Sequence, residues 1–350
     1  MFEEMTNHPV GWLNGDGEES LVVLSSRIRM ARNIAGLRFP ASADRATRMK
    51  VLEKFDSAVA TSEFLRRGTF IRTENIDRTD GGFLVERHLI SPTILDHLDS
   101  SGVYIEPTER VSIMVNEEDH LRIQAITPGL EMDRTMDLAS HYDNEVGRLL
   151  EYDYDSDFGF LTACPTNVGT GLRASVLIHL PGLVLTRDID KVIQKISKMG
   201  VAVRGFYGEG TDVLGNLFQI SNQTTLGKSE TDIIEDIERV TRIIIGDEAS
   251  ARERLRREAF DHICDKIWRA YGILKYARVL SSDEVMNLLS AVRLGIAMGI
   301  IDFVSIAAVN EILVFSQPAH LMKFRGKEMT ADETDTFRAE LVREKIGLGH

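Results

Sequence analysis

The chain has 350 residues, 43% hydrophobic and 27% charged, and 41 basic against 54 acidic residues give a net charge of −13. This composition is typical of a globular protein with a substantial core, and the negative balance argues against a protein that tracks nucleic-acid phosphates. The two cysteines, Cys164 and Cys264, are far apart, which predicts neither a disulfide framework nor a zinc site. An acidic N-terminus and no apolar run of about 18 residues predict a cytoplasmic protein without a membrane span.

Hydrophobic periodicity divides the chain into predicted elements. Residues 1–20 are rich in glycine and acidic residues and are expected to form a loose lead-in. Helices are predicted at 42–62 with Ser42 as the N-cap, 132–150, 188–199 and 229–245. Strands are predicted at 21–24 running on to 32, 111–115, 121–126, 158–165, 174–180, from 201, and 216–221. Residues 69–90 are predicted to form strands and turns, with a hairpin at Asp80-Gly81-Gly82.

The order of these elements predicts an α+β fold with a mainly antiparallel sheet, because helices do not alternate strictly with strands. From residue 249 onward only helical patterns remain, at 249–277, 282–299, 303–315 and 331–345. We therefore expect a lead-in at 1–20, an α+β domain at 21–246, a boundary near 246–250 and a small all-helical domain at 250–350. The apolar faces of its helices predict either a bundle core, which is the preferred interpretation, or a dimer seam.

An acidic stretch, Asn116-Glu117-Glu118-Asp119-His120-Leu121-Arg122, joins two predicted strands. Carboxylates clustered at a strand end repel one another, which can raise the pKa of at least one of them. A solvated acidic turn is the alternative, because most charged turns are simply exposed. The stretch by itself does not separate its three acidic side chains by role.

Arginines recur at predicted strand ends and loops of the same domain. Arg27 and Arg29 are two residues apart and would point the same way on a strand, and Arg122, Arg173 and Arg204 lie near other strand ends. A solvated basic edge is one explanation. In a chain of net charge −13, the cluster instead indicates a polyphosphate pocket, because the planar guanidinium fork matches phosphate oxygens.

Two glycine-rich loops follow predicted strands. The first leads from Cys164-Pro165 to Arg173, and a cysteine beside arginines could be a thiolate of low pKa. The second, from Arg204 to Asp212, is either a mobile surface loop or an active-site lid. The run Leu226-Gly227-Lys228-Ser229 has the ending of a P-loop, but Asn222 stands where that motif needs glycine, which excludes a Walker-type nucleotide site.

Together these features predict a kinase that takes a phosphoryl group from a nucleotide and transfers it to a cationic acceptor. The arginines would stabilise charge on the transferred phosphoryl group. Glu118 and Asp212 would orient the acceptor and take its proton. His88, considered by itself, is more often a structural histidine than a ligand.

Several motifs resemble the phosphagen (guanidino) kinase family in order and spacing. They are Ser25-Ser26-Arg27-Ile28-Arg29, the acidic stretch, Cys164-Pro165-Thr166-Asn167-Val168-Gly169-Thr170-Gly171-Leu172-Arg173, and the loop from Arg204-Gly205 to Gly208-Glu209. The resemblance covers roughly residues 21–246 and implies a glutamine-synthetase-like antiparallel sheet with flanking helices. The added helical domain resembles the layout of the bacterial protein-arginine kinases in this family. That layout implies transfer of the γ-phosphoryl group of ATP to arginine side chains of proteins, which marks them for Clp-type proteolysis.

The resemblance also implies roles for single residues. Glu118 is implied as the catalytic base, Asp212 as a second carboxylate and Cys164 as the reactive cysteine beside the guanidinium. The implied nucleotide-binding residues are Ser25, Ser26, Arg27, Ile28, Arg29, His88, Arg122, Arg173, Ala174, Ser175, Val176, Leu177, Arg204, Gly205, Phe206, Tyr207, Gly208 and Glu209. Mg²⁺ would bridge the phosphates of ATP, and no metal site made by the protein alone is expected. Tyr207 stands where most of the family has arginine.

A second implied site lies in the helical domain. Thr334, Asp335, Arg338 and Ala339 match a phosphoarginine-binding motif, with threonine in place of its leading arginine. The implied partners are proteins with exposed arginines, an activator protein, a Clp ATPase and protease, and a second copy of the chain in a homodimer. Two alternatives remain open. One is a phosphagen kinase acting on a free small guanidine, and the other is a non-catalytic phosphoarginine-binding adaptor, against which the intact catalytic residues count.

Overall fold

The computed structural model describes residues 2–205 and 214–347. Within them the strands are β1 Val23–Arg32, β2 Thr69–Arg72, β3 Gly102–Ile105, β4 Val111–Val115, β5 Leu121–Pro128, β6 Tyr154–Asp155, β7 Gly159–Phe160, β8 Leu172–His179, β9 Val201–Gly205 and β10 Leu217–Asn222. Eight of these strands form one sheet in the order β2-β3-β4-β5-β1-β8-β10-β9, and β6 pairs with β7. Every neighbouring pair in the large sheet is antiparallel, as predicted.

The helices surround this sheet and continue beyond it. Over the same residues they are α1 Phe2–Asn7, α2 Arg45–Thr61, α3 Arg78–Glu86, α4 Met132–Leu149, α5 Pro181–Leu185, α6 Ile189–Ser197, α7 Glu230–Glu258, α8 Phe260–Tyr276, α9 Ser282–Ala297, α10 Ile306–Phe315, α11 Pro318–Arg325 and α12 Ala331–Gly347. None of the described helices is long and apolar enough to cross a membrane.

One face of the large sheet packs against the main apolar cluster, and the other, the open face, is partly covered by helices and borders a cavity. Successive side chains of a strand point to opposite faces, so Ile28 and Met30 of β1 enter the main apolar cluster, together with residues of α2, α4 and α7. Arg27 and Arg29 alternate with them and therefore point to the open face. Because Ile28 separates the two arginines in the sequence, both guanidinium groups lie on the same face of the central strand β1.

Helices α8 to α12 pack around a second apolar cluster. This cluster also contains Trp12 of the N-terminal segment and Leu24, Ile126 and Leu177 of the sheet, so the helical unit is packed against the sheet. Helix α7 continues through the predicted boundary at 246–250, since the single Gly246 is tolerated within a helix. The division into 21–246 and 250–350 stays a prediction.

Two predictions near the N-terminus need correction. Asp44, and not Ser42, caps α2, because its side chain accepts the backbone N–H of Thr47. The lead-in is less loose than expected, because it contains α1 and buries Trp12 and Leu13 in the core of the helical unit.

The predicted hairpin at residues 80–82 is wrong. Asp77 accepts the backbone N–H of Asp80 and caps α3, whose Phe83 and Leu84 are fully buried. A helix cap and a buried apolar pair therefore outweighed the turn propensity of the two glycines. The strand predicted at 158–165 is reduced to the two residues of β7.

Candidate active site

A cavity of about 310 Å³ lies on the open face of the sheet. Its walls come from the N-terminal segment, the end of α3, the central strands and the junction of α10 and α11. The lining residues are Trp12, Ser25, Arg27, Arg29, Val85, Glu86, His88, Ile90, Ser91, Pro92, Met114, Arg122, Gln124, Ile126, Ser175, Leu177, Gln219, Leu313, Val314 and Gln317.

Strand register places arginines in the floor of this cavity. Arg29 of β1 lies directly between Gln124 of β5 and Arg173 of β8, and Arg27 lies opposite Ser175. Residues that oppose each other directly in an antiparallel pair share a face of the sheet. The fold therefore brings together arginines that are far apart in the sequence.

These arginines are half-buried near one another, and the side-chain partners that the described residues give Arg27 are uncharged. Among the described residues, Arg27 donates to the side-chain oxygens of Gln219 at 2.7 Å and Ser175 at 3.5 Å. Burial, followed by the charges of Arg173 and Arg122, lowers the pKa of Arg27 to about 10. Burial and the neighbouring arginines also lower the pKa of Arg29 well below its ordinary value, and its buried Nε has no hydrogen-bond partner among the described residues. Such a floor favours a polyanionic ligand.

The acidic stretch is a tight turn between β4 and β5. The backbone N–H of Asn116 donates to the carbonyl oxygen of His120 at 2.9 Å, and Asn116 has a φ of 57°. Asparagine tolerates this left-handed conformation better than most residues. Its side-chain amide donates to the carbonyl oxygens of Arg48 and Ser100, each at 2.8 Å, which fixes the turn to the neighbouring segments.

The turn gives its three carboxylates different environments. Glu117 is buried and accepts hydrogen bonds from Ser91 Oγ at 2.7 Å and from Arg122 Nη1 at 2.8 Å. Glu118 accepts from Arg122 Nη2 at 2.7 Å, and its side chain is 42% exposed. Asp119 is completely buried. Only Glu118 therefore combines a link to a cavity arginine with access for a second substrate.

Asp119 ties the acidic turn to the cysteine loop. Its Oδ1 accepts the backbone N–H of Ala163 at 2.6 Å and the side-chain amide of Asn33 at 2.7 Å. Ala163 precedes Cys164, whose Sγ lies 3.0 Å from Thr166 Oγ1. The predicted base and the predicted cysteine thus belong to segments that one buried carboxylate holds together.

His120 supports the turn as a neutral imidazole. Its Nδ1 accepts the backbone N–H of Ile34 at 3.0 Å, and its Nε2 lies 2.9 Å from the carbonyl oxygen of Arg38. These partners place the proton on Nε2. Burial lowers the pKa of His120, so the ring remains uncharged and structural at neutral pH.

Substitution of Asp119 tests this support. Burial raises the pKa of Asp119, so the carboxylate form destabilises the fold as the pH rises through that raised pKa. Asp119→Asn keeps an oxygen for both N–H donors and is expected to preserve stability at pH 7. Asp119→Ala leaves both donors unsatisfied and is expected to cost about 1–3 kcal/mol. Urea denaturation of the two variants at pH 4 and pH 7 measures the difference; equal stability of both would contradict it.

Arg32 fixes the glycine-rich loop that leads to Arg173. Its guanidinium, which is 1% exposed, donates to both carboxylate oxygens of Asp143 and to the carbonyl oxygen of Thr170 at 2.9 Å. Gly171 has a φ of 62°, and a Cβ there would lie 2.6 Å from the carbonyl oxygen of Ala31. The loop therefore needs glycine at this close approach.

His88 lies in the cavity wall at the end of α3. It has a φ of 61°, packs edge-on against Trp12 with ring centroids 5.2 Å apart, and accepts a bond from Gln124 at its carbonyl oxygen. Burial and the charge of Arg27 lower its pKa to about 3. His88 is therefore a neutral part of the wall, which fits both a structural role and contact with a nucleotide.

The structure separates most of the predicted nucleotide-binding residues into two groups; Arg173 pairs in register with Arg29 but is not among the residues that line the cavity. Ser25, Arg27, Arg29, His88, Arg122, Ser175 and Leu177 line the cavity. Strand alternation turns the side chains of Ile28, Ala174 and Val176 into the main apolar cluster on the opposite face. Ser26 also points away, because its Oγ donates to the carbonyl oxygen of Gly129 and accepts the N–H of Glu131.

The predicted loop after β9 is described only at its start. Arg204 pairs in register with Gln219, which lines the cavity, and Gly205 pairs with Phe218. The other predicted residues of this loop, Phe206, Tyr207, Gly208, Glu209 and Asp212, lie outside the described residues.

The predicted phosphoarginine motif is part of the helical core. Arg338 is 2% exposed, donates to the carbonyl oxygens of Ser316 and Leu280 at 2.8 Å each, and pairs with Asp335. Thr334 donates to the carbonyl oxygen of Thr330, and Ala339 is fully buried. These contacts give Arg338 a structural role in this arrangement, and a phosphoarginine would have to displace them.

Sequence reasoning missed several lining residues. Gln124 lies on the same strand as Arg122, and spacing by two from that arginine would have found it. Gln219 and Trp12 had no such signal, because register and packing alone place them. Among residues 2–205 and 214–347, no group of three or more His, Cys, Asp or Glu residues could hold a metal ion.

Comparisons with known proteins agree with this geometry. Residues 50–251 match the C-terminal catalytic domain of ATP:guanido phosphotransferases, and residues 260–349 match the C-terminal domain of the protein-arginine kinase McsB. The protein-arginine kinase of Desulforamulus reducens is 44% identical over 347 residues, which cover 98% of this chain and 97% of that protein. The protein-arginine kinase of Pelotomaculum thermopropionicum is 43% identical and covers 98% of each chain.

The fold has counterparts among solved structures. The crystal structure of lombricine kinase is 25% identical with a TM-score of 0.61, and the match covers 70% of each chain. This likeness, together with the two matched domains, confirms the predicted α+β fold with a helical C-terminal domain.

Proposed function

We propose, from the premise that the chain belongs to the ATP:guanido phosphotransferase family and is a protein-arginine kinase, that its cavity binds the triphosphate of ATP and that Glu118 accepts the proton of the acceptor. The observation that carries this proposal is the cluster of half-buried arginines in the cavity floor, where Arg27 and Arg29 share one face of β1 and the described side-chain partners of Arg27 are neutral. A triphosphate supplies the missing negative charge. Arginine forks then hold the γ-phosphoryl group in place and stabilise the charge that spreads over its oxygens during transfer.

Arg122 connects the phosphate end of the cavity with the base. It lines the cavity and donates to Glu118 from one side of its guanidinium. The acceptor guanidinium has a pKa above about 12, so a carboxylate does not deprotonate it in the ground state. Proton removal therefore accompanies phosphoryl transfer, and the main contribution of Glu118 is to align the nitrogen in line and take the proton as the bond forms.

Cys164 and Asp212 are proposed to contact the acceptor from other sides. Cys164 follows Ala163, which Asp119 holds beside the acidic turn, and this contact supports its placement near the acceptor. The role of Asp212 rests on the resemblance alone. The partial exposure of the Glu118 side chain supports access for an arginine that belongs to a folded protein.

Mg²⁺ is proposed to enter as part of the substrate. The described residues offer no metal-binding cluster, and the carboxylates of Glu117 and Glu118 are both paired with Arg122, which lines the cavity. The metal would therefore be held by the phosphate oxygens of ATP, where it neutralises part of their charge.

The wider biological assignments remain proposals with different support. A homodimer through the helical unit is supported by the exposed aromatic side chains Trp268 and Tyr276 on α8, which are 46% and 68% exposed. Delivery of phosphorylated proteins to a Clp ATPase and protease, an activator protein, phosphoarginine binding at Arg338 and a cytoplasmic location rest on the resemblance.

The test is incubation of a basic protein with the chain and Mg·ATP, followed by mass spectrometry without acidic handling. We expect a phosphoryl group on arginine side chains, and little turnover of free arginine under the same conditions. Turnover of the free compound alone would replace this proposal by a small-guanidine kinase. Absence of both products, with ATP still bound, would support a non-catalytic adaptor.

A further inference from the structure

We propose that the helical C-terminal unit forms the wall of the nucleotide cavity that contacts the nucleobase, through Leu313, Val314 and Gln317. All three residues line the cavity, at the end of α10 and at the start of α11. This inference rests on the proposed function, because it takes the cavity as the ATP site.

The cavity floor changes from charged to apolar along β1. At one end Arg29 lies between Gln124 and Arg173, and four residues earlier Ser25 lies opposite Leu177. At about 3.3 Å per residue, this run of strand covers about 13 Å. A triphosphate held at the arginine end would therefore direct the rest of the nucleotide toward the apolar end.

The apolar end is shared between the sheet and the helical unit. Ile126 and Leu177 of the cavity floor belong to the same apolar cluster as Trp12, Leu313 and Val314. Pockets for flat, mostly apolar ligands combine such walls with a few polar groups that fix orientation. The amide of Gln317 lies at this wall, and it is held in place by a bond to the carbonyl oxygen of Leu313 at 3.1 Å.

Glu86 fastens this wall to the catalytic sheet. Its carboxylate accepts the backbone N–H groups of Ala319 and His320 at 2.8 and 2.9 Å, and His320 Nδ1 at 2.9 Å. These are contacts to the first turn of α11, where a carboxylate is favourable. Glu86 also lines the cavity two residues before His88, so the attachment point and the nucleotide wall are one continuous segment.

A buried chain of polar groups keeps the attachment rigid. Arg87 is fully buried, forms two bonds of 2.6 and 2.7 Å with Glu109, and lies 3.4 Å from His320 Nε2. Burial lowers the pKa of His320, although the bond to Glu86 acts in the opposite direction. A neutral His320 donates from Nδ1 to Glu86 and accepts from Arg87 at Nε2, which satisfies every member of the chain.

The test compares two valines of α10. Val314 and Val309 are each 1% exposed, but only Val314 lines the cavity. We expect Val314→Ala to weaken Mg·ADP binding in calorimetry by about three- to tenfold, because it removes apolar contact area from the base, and Val309→Ala to leave it unchanged. Equal effects of the two substitutions would overturn the proposal. If the alanine variants do not fold, Val314→Thr and Val309→Thr are used instead, because threonine keeps the shape of the valine side chain.

Inorganic triphosphate separates a base contact from a structural effect. This probe has no base, so Val314→Ala should bind it as tightly as the wild-type chain does. A general distortion of the cavity would weaken the binding of both ligands and contradict the proposal.

Arg27→Met tests whether the cavity is the nucleotide site. If it binds Mg·ADP normally, the cavity is not the nucleotide site and the proposed function loses its site. If Arg27→Met binds weakly but Val314→Ala behaves like Val309→Ala, only the base contact is wrong.

Discussion

Replacing Glu118 by glutamine is expected to lower kcat for phosphoarginine formation by about 10²–10⁴-fold. Glutamine keeps the length of the side chain and an oxygen that can accept from Arg122, but it takes no proton from the acceptor. Arg122 also retains Glu117, 2.8 Å away, as an ionic partner, so the KM for ATP should change little. Initial rates with labelled ATP and a protein substrate, stopped without acid, give both constants.

Glu117→Gln is the matched control for Glu118→Gln. It makes the same chemical change in the neighbouring residue, which also binds Arg122 but is buried and braced by Ser91. We expect its main effect on the KM for ATP, because Arg122 loses its buried partner while the proton acceptor is intact. A similar loss of kcat in both variants would mean that the pair acts only by holding Arg122, and normal kcat in Glu118→Gln would remove the assigned base.

The sequence was sufficient to predict the strands that carry the site residues. In β1 and β5 the apolar and polar positions alternate, so the shared face of Arg27 and Arg29 followed from strand geometry. Helix α3 was not predicted, because Gly81 and Gly82 have strong turn propensity while the burial of Phe83 and Leu84 is a property of the packed molecule. Local propensity is a weak guide wherever tertiary burial opposes it.

The candidate site could be located from the sequence, but its parts could not be separated. Glu117 differs from Glu118 because of Ser91, and Asp119 is distinguished by Asn33, which are 26 and 86 residues away along the chain. Val314 had no detectable connection to the sheet. Contacts of this separation depend on the complete fold, so the sequence motif predicted a catalytic stretch and only the packing assigned its members.

Replacing Arg27 by methionine is expected to lower kcat/KM for ATP by about 10³-fold or more and at the same time to raise the thermal midpoint of the nucleotide-free protein. Folding lowers the pKa of Arg27 to about 10, which means that its charged form is disfavoured in the folded state. That cost is constant at neutral pH and begins to decrease only as the pH rises above about 10. Methionine removes the charge and keeps much of the length, so we expect an increase of a few degrees, at about 2–4 °C per kcal/mol.

Arg32→Met on the same strand is the control, and it should move stability in the opposite direction. Arg32 is also an arginine of β1 and is more deeply buried than Arg27, but it is paired with Asp143 and bonded to the carbonyl oxygens of Ala31 and Thr170. Its removal leaves the carboxylate of Asp143, whose side chain is 13% exposed, without this partner, and the loss of one member of a fully buried pair costs about 3–5 kcal/mol as an upper value. Saturating Mg·ADP should then raise the midpoint of the wild-type chain but not that of Arg27→Met. An arginine placed to bind phosphate is expected to destabilise the nucleotide-free protein. A fall in stability for both variants would contradict this and show that Arg27 supports the fold.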